Sequence, residues 1–169
     1  MERLRIRPYQ SSDCEKIRSW ILDEETHLKW CAGTLPFGFS IEDFEQCLLE
    51  GQKEWGDCGF TATDENNVPV GFFKFNVNSA ENAGFFKCII VDGSMRGVGL
   101  GKRMLTKAVK YAFEIAEVEK ARLIVFDDNP AAVSCYAKVG FRAETVLEAL
   151  EWNGKKWGRT RLVIEKVRN

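Results

Sequence analysis

The sequence lacks several features that would assign it to a common functional class. Its 169 residues include a single histidine, His27, and the six cysteines contain no C-x-x-C pair. One histidine cannot by itself build a metal site, and scattered thiols in a domain of this size are typical of reduced, mostly buried cysteines in the cytosol. We therefore expect neither a metal nor disulfides, and a cytoplasmic location.

Charge and hydrophobicity argue against two further classes. The 24 basic and 25 acidic residues leave a formal net charge of −1, so no basic excess suggests nucleic acid as the main partner. No apolar run reaches membrane-spanning length. The N-terminal segment MERLRIRPYQ is interrupted by charges, unlike a signal peptide. We expect a single domain over residues 1–169 that associates with neither nucleic acid nor membrane.

The most informative segment passes from a predicted buried strand, through a glycine-rich turn, into a predicted helix. The strand covers 85–91, the turn covers 96–101, and apolar residues repeat at helical spacing from Leu100 to Ile115. The first amides of such a helix have no intrahelical acceptor, and the helix dipole favours an anion there. Glycines let backbone approach a ligand closely. The segment predicts a phosphate or pyrophosphate site, and a turn that only allows close packing is the alternative.

Two common phosphate-binding motifs fail by position. A Walker A loop would need glycine in place of Arg96 and Ser or Thr in place of Arg103. A dinucleotide fingerprint that starts at Gly97 or Gly99 lacks its third glycine. The pattern that remains is R-x-x-G-x-G, satisfied by Arg96, Gly99 and Gly101. The stretch VDGSMRGVGLGKRML resembles the coenzyme A pyrophosphate loop of the GNAT superfamily of N-acetyltransferases.

A second motif follows further along the chain. Residues 129–141, NPAAVSCYAKVGF, resemble another GNAT signature of Asn, small residues, Tyr and Gly-Phe. Taken alone, Asn129 would be a helix N-cap and Tyr136 a half-buried aromatic residue. Because two motifs occur in the family's order, a functional role for both residues is favoured. The resemblance covers most of the chain. The terminal segments are similar to the branch that contains bacterial ribosomal-protein N-terminal acetyltransferases, which also holds enzymes acting on polyamines, amino acids and antibiotics.

The predicted fold is mixed α/β. The resemblance implies a mostly antiparallel (α+β) central sheet of roughly six to seven strands, with about four helices and a parallel β-α-β crossover at the cofactor site. Patterning places the strands at 4–7, 58–63, 68–78, 85–91, 121–126, 142–151 and 157–167. It places the helices near 13–22, 41–51, 100–115 and 130–139, and shows no clean period over 23–39.

The resemblance also implies roles for particular residues. Tyr136 would protonate the coenzyme A thiolate as it leaves, because a phenol of pKa ~10 keeps its proton at neutral pH. The strand end would lie along the pantetheine arm, since in this fold it diverges from the next strand and leaves backbone groups that need a partner. The implied cofactor-binding residues are Ile89, Ile90, Val91, Arg96, Gly97, Val98, Gly99, Leu100, Gly101, Lys102 and Asn129.

The implied activity is N-acetyl transfer from acetyl-CoA to a primary amine, either a protein N-terminus or a small molecule. The amine would attack the thioester directly, with a backbone N–H near Ile90 and Val91 stabilising the oxyanion. The alternative is a non-catalytic domain of the same fold that binds or senses acyl-CoA, and a weaker one is transfer from a longer acyl-CoA. Acetyl-CoA is the expected cosubstrate, and the family suggests a homodimer.

Two parts of the site stay open at this level, the general base and the acceptor pocket. Ile124 stands where some relatives carry a Glu, five residues before Asn129. The remaining candidates for a base are Asp127, Asp128, Glu81 and Glu25, of which the first two are better explained as helix-capping residues. Four acidic residues either attract a cationic amine or are ordinary solvated charges, namely Glu24, Glu25, Asp57 and Glu81. Five aromatic residues either line a pocket or pack in the core, namely Trp30, Phe37, Phe39, Trp152 and Trp157.

Overall fold

The computed structural model describes residues 3–95 and 97–167. The strands in this part of the chain are β1 (Arg5–Pro8), β2 (Cys58–Thr63), β3 (Pro69–Asn78), β4 (Ala83–Val91), β5 (Lys120–Phe126), β6 (Arg142–Trp152) and β7 (Lys155–Glu165). The α-helices are α1 (Cys14–Arg18), α2 (Glu24–Cys31), α3 (Ile41–Trp55), α4 (Leu100–Glu114) and α5 (Pro130–Val139). The strands form one sheet in the order β1-β2-β3-β4-β5-β7-β6.

The sheet is mostly antiparallel. Among the described strands only β4 and β5 pair in parallel, and α4 connects them as the crossover that this geometry requires. The predicted fold class is therefore confirmed. The helix that patterning did not predict is α2, which lies in the segment without a clean period. Four of its eight residues are buried, in two adjacent pairs on either side of Lys29, so its apolar positions do not form a regular stripe.

Apolar clusters cover both faces of the sheet. On one face, α4 buries a stripe that includes Leu100, Met104 and Leu105 against the strands. On the other, α1, α2 and α3 pack over the centre of the sheet. Phe72 and Phe73 belong to different clusters because successive strand residues point to opposite faces.

Candidate active site

The strands β4 and β5 diverge in the middle of the sheet. Their pairing covers only 83–86 against 120–123. Beyond Phe86, β4 continues along β3 as far as the pair of Val91 with Gly71. The β5-facing backbone edge of 89–91 therefore has no strand partner within the described sheet. Buried backbone groups need a hydrogen-bonding partner, and an extended ligand with its own amides can supply one.

A β-bulge at Cys88 accompanies this divergence. Cys88 has a φ of 50°, and the register between β3 and β4 shifts between Phe72 and Lys74. Positive φ is uncommon outside glycine, and a bulge bends the strand that carries it. Burial raises the pKa of the Cys88 thiol to about 12, so the thiol is neutral and is not a nucleophile at neutral pH. The indole Nε1 of Trp30 in α2 donates to the Cys88 carbonyl oxygen at 2.8 Å and so ties α2 to the bulge.

Replacing Trp30 by Phe keeps an aromatic ring in the core and removes this donor. The partly buried Cys88 carbonyl then loses this partner, and we expect the free energy of unfolding to fall by about 0.5–1.5 kcal/mol. Urea denaturation measures the loss. Trp20→Phe is the matched control, because Trp20 is similarly buried and its Nε1 has no hydrogen-bond partner among the described residues. Similar losses in both variants would show that the bond to Cys88 adds nothing.

The turn between β4 and α4 is open on its outer side. Gly97 and Gly99 have φ values of 81° and 76°, and a Cβ at either position would meet no atom within 4 Å. Glycine is needed there for the backbone conformation, and the space in front is free for a ligand. Gly101 differs, since its Cβ would lie 3.2 Å from the Cys135 Sγ in α5. The turn therefore combines the two alternatives that the sequence left open. Gly97 and Gly99 leave space for a ligand, and Gly101 allows close packing against α5.

The residues around α4's first turn differ in what they present to this space. The side chain of Val98 is 67% exposed, whereas that of Leu100 is buried in the core, so Leu100 reaches the turn only through its backbone. Lys102 is exposed and adds positive charge at the helix N-terminus, next to amides that have no intrahelical acceptor. Arg96 lies outside the described residues.

The second motif forms the start and body of α5. The Asn129 Oδ1 accepts from the Ala132 N–H at 3.2 Å, which confirms the predicted N-cap. No described group accepts from its Nδ2, which stays available. Tyr136 is buried, with its ring centroid 6.3 Å from that of Phe141. Burial, with a smaller contribution from the Cys135 thiol, raises the pKa of Tyr136, so the phenol keeps its proton at neutral pH.

The two aspartates between β5 and α5 are held by neighbouring side chains. The Asp127 Oδ1 accepts from the Thr160 hydroxyl at 2.7 Å. Asp128 lies between two lysines, with its Oδ1 3.6 Å from the Lys29 Nζ and its Oδ2 3.3 Å from the Lys155 Nζ. Neither aspartate caps the helix, because Asn129 occupies that position.

The other acidic candidates are also paired. Glu81 pairs with Arg122, and this pairing lowers the Glu81 pKa, which makes it a weaker base. Glu25 pairs with Lys29 one helical turn along α2, at 2.7 Å. Asp57 lies buried in the connection between α3 and β2 as part of an ion cluster and is therefore not a surface charge. Ile124 is partly exposed on β5, so the position of the missing Glu faces solvent.

Most of the candidate aromatic residues belong to the core. Trp30 and Phe39 stack with their centroids 5.8 Å apart in the cluster under α1, α2 and α3. Trp157 packs with Trp152 in a separate small cluster near the end of β5. Phe37 differs because it is exposed.

Two features are absent from residues 3–95 and 97–167. No group of three or more His, Cys, Asp or Glu side chains is placed there to hold a metal ion. No helix in the same ranges combines the length and the apolar character needed to cross a membrane.

Comparison with known proteins identifies the family. A model described as Acetyltransferase (GNAT) family matches residues 15–141. The chain therefore belongs to this family, as the two sequence motifs predicted. The enzyme class expected from the sequence, an acetyl-CoA-dependent N-acyltransferase, agrees with this membership.

Individual relatives are more distant. Mycothiol acetyltransferase of Streptomyces avermitilis is 32% identical over 90 residues, which cover 53% of this chain but only 29% of that protein. An N-acetyltransferase 9-like protein of Caenorhabditis briggsae is 23% identical over 157 residues, covering 83% of this chain and 75% of that protein. The crystal structure of Vibrio cholerae spermidine N-acetyltransferase with CoA and spermine superposes with a TM-score of 0.81 at 21% identity, over 98% and 96% of the two chains. This superposition shows a shared fold.

Proposed function

We propose that this protein transfers an acetyl group from acetyl-CoA to a primary amine. The observation that carries the proposal is the divergence of β4 and β5 directly before the open glycine turn at the start of α4. An unpaired strand edge suits the amides of a pantetheine arm. An exposed helix N-terminus behind two positive-φ glycines suits a pyrophosphate. Both features lie in the order that a single molecule of coenzyme A requires.

The residues proposed to hold the cofactor are those that the sequence motifs predicted. Backbone of Ile89, Ile90 and Val91 contacts the pantetheine arm, and the Asn129 Nδ2 contacts it from the start of α5. The turn contacts the pyrophosphate through Arg96, Gly97, Val98, Gly99, Leu100, Gly101 and Lys102. Bound acetyl-CoA supplies the activated acetyl group.

The proposed mechanism is direct transfer. The amine nitrogen forms a bond to the acetyl carbonyl carbon while the bond from that carbon to sulfur breaks. A backbone N–H near Ile90 and Val91 donates to the carbonyl oxygen as it gains negative charge. Tyr136 gives its proton to the departing sulfur, and the proton that the nitrogen loses on becoming an amide returns the phenol to its neutral form, directly or through solvent. An α-amine with a pKa near ~8 loses its own proton to solvent or a carboxylate more easily than a lysine-type amine of pKa ~10.4.

The alternative is a domain that binds acyl-CoA without turnover. The missing Glu at position 124 favours it, whereas the buried, protonated phenol of Tyr136 favours catalysis. Relatives described as mycothiol and spermidine acetyltransferases support an amine acceptor. We further propose one domain over residues 1–169, a homodimer, and a cytoplasmic location in keeping with six free thiols.

Acetyl-CoA should raise the melting temperature of the protein. A ligand at ~100 times its dissociation constant adds roughly 2.7 kcal/mol to the stability of the folded state. For a domain of this size that corresponds to a shift of roughly 5–10 °C. ATP and NAD at equal concentrations are the controls. No shift with acetyl-CoA would contradict the proposal, and a shift without thiol release in the presence of any amine would favour the binding-only alternative.

A further inference from the structure

The helix α2 bridges the two sides of the opening between β4 and β5. Two adjacent residues make the contacts. Trp30 donates to the Cys88 carbonyl in β4, and the Lys29 Nζ donates to the Asp128 carbonyl oxygen beyond β5, at 3.3 Å. Asp128 directly precedes Asn129, which we propose to contact the cofactor. The surface around Asp128 therefore borders the same opening in which the thioester would lie.

Beside this bridge, the ammonium of Lys155 occupies a site made of a ring face and a carboxylate. The Lys155 Nζ lies 3.6 Å from the centroid of the Trp157 ring and 3.3 Å from the Asp128 Oδ2. The Lys29 Nζ lies farther from both, at 5.4 Å from the ring centroid and 3.6 Å from the Asp128 Oδ1, so Lys155 is the nearer of two ammonium groups. The rings of Phe126 and Trp152 meet Trp157 edge-on, with centroids 6.3 and 6.2 Å away. An aromatic face close to a carboxylate is a typical binding site for an ammonium group.

The Trp157 ring of this site is held more firmly than the ion pair of Lys155 with Asp128 in front of it. Trp157 is 4% exposed and packs with Leu28 and Phe126 in a buried cluster. By contrast, the side chains of Lys155 and Asp128 are 57% and 44% exposed, and ion pairs at such exposure contribute little stability. An ammonium from solution can therefore displace Lys155 while the ring stays in place.

We propose that Trp157 and Asp128 recognise a second ammonium group of the acceptor, and that Lys155 fills this place in the free protein. The acceptor class is then a diamine or polyamine and not a monoamine. This inference rests on the proposed acetyltransferase function and names its substrate class. Because the second ammonium is remote from the reacting nitrogen, the site acts on KM more than on kcat.

The test compares two acceptors of equal length, 1,6-diaminohexane and 6-amino-1-hexanol, in which a hydroxyl replaces the second ammonium. Asp128→Asn should raise KM for the diamine about 10-fold, and Lys155→Met should lower it about 3- to 10-fold. Neither should change KM for the amino alcohol. Lys156→Met is the matched control and should leave both values unchanged, because Lys156 is the next residue, is 77% exposed and pairs with Glu151.

Equal kcat/KM for the two acceptors in the wild type and every variant would overturn the site and leave the proposed function standing. A Ser-Lys-Ala peptide offers the same ammonium on a side chain, and a higher kcat/KM for it than for the diamine would overturn the assignment to a free diamine. If no amine releases thiol from acetyl-CoA, the proposed function fails. Calorimetric titration with 1,6-diaminohexane then tests the ammonium site independently of turnover. Tighter binding to Lys155→Met and weaker binding to Asp128→Asn than to the wild type would support the site. Equal binding to all three proteins would overturn it.

Discussion

Replacing Tyr136 by Phe should lower kcat by about 10²- to 10⁴-fold and leave the affinity for acetyl-CoA unchanged. The ring is buried against Phe141, and Phe fills the same space, so packing is preserved. Only the hydroxyl is lost, which we propose gives its proton to the departing sulfur. Thiol release at saturating substrates measures kcat, and calorimetric titration measures cofactor binding.

The raised pKa of Tyr136 adds a pH dependence to this prediction. A phenol loses its proton as pH rises through its pKa, and burial moves that event above the ordinary value. Wild-type kcat should therefore not decline through loss of this proton between neutral pH and pH ~9. Tyr111→Phe is the control, since Tyr111 lies partly exposed on α4 against Phe60. Equal kcat in wild type and Tyr136→Phe would remove Tyr136 from the mechanism.

Replacing Asp57 by Asn should lower the free energy of unfolding by about 3–5 kcal/mol, because it leaves buried charge without a partner. The Asp57 carboxylate lies 3.2 Å from the Lys74 Nζ and 2.8 Å from the Lys87 Nζ, and Asn76 also donates to it at 2.9 Å. Burial alone would lower the pKa of Lys74, but the Asp57 carboxylate opposes this and the net pKa is raised, so the lysine is charged at neutral pH.

Denaturant unfolding of three variants tests this account. Glu151→Gln is the control for loss of an ion pair, since Glu151 and Lys156 are both exposed, and it should cost less than about 1 kcal/mol. The double variant Asp57→Asn with Lys74→Met should be more stable than Asp57→Asn alone, because it also removes the stranded charge. A single variant that unfolds like the wild type would contradict the role assigned to Asp57.

Local sequence patterns were sufficient for the family, the order of the strands, four of the five described α-helices and the two motifs. These depend on short-range physics. Apolar spacing follows the periods of helix and strand, and Asn129 before Pro130 begins a helix because its side chain satisfies a free amide. The positive φ values at Gly97 and Gly99 suit glycine for the same local reason. The sequence therefore predicted the glycine turn without knowledge of its surroundings.

The part of the opening where we propose that the acceptor binds is formed by contacts between residues far apart in the chain. The bulge at Cys88 is tied to Trp30, and Asp128 is shared by Lys29 from α2 and Lys155 from the last hairpin. No spacing rule relates such residues, because their approach depends on how helix and hairpin pack against the sheet. For the same reason only the folded chain distinguishes the buried charge of Asp57 from the exposed charge of Asp128.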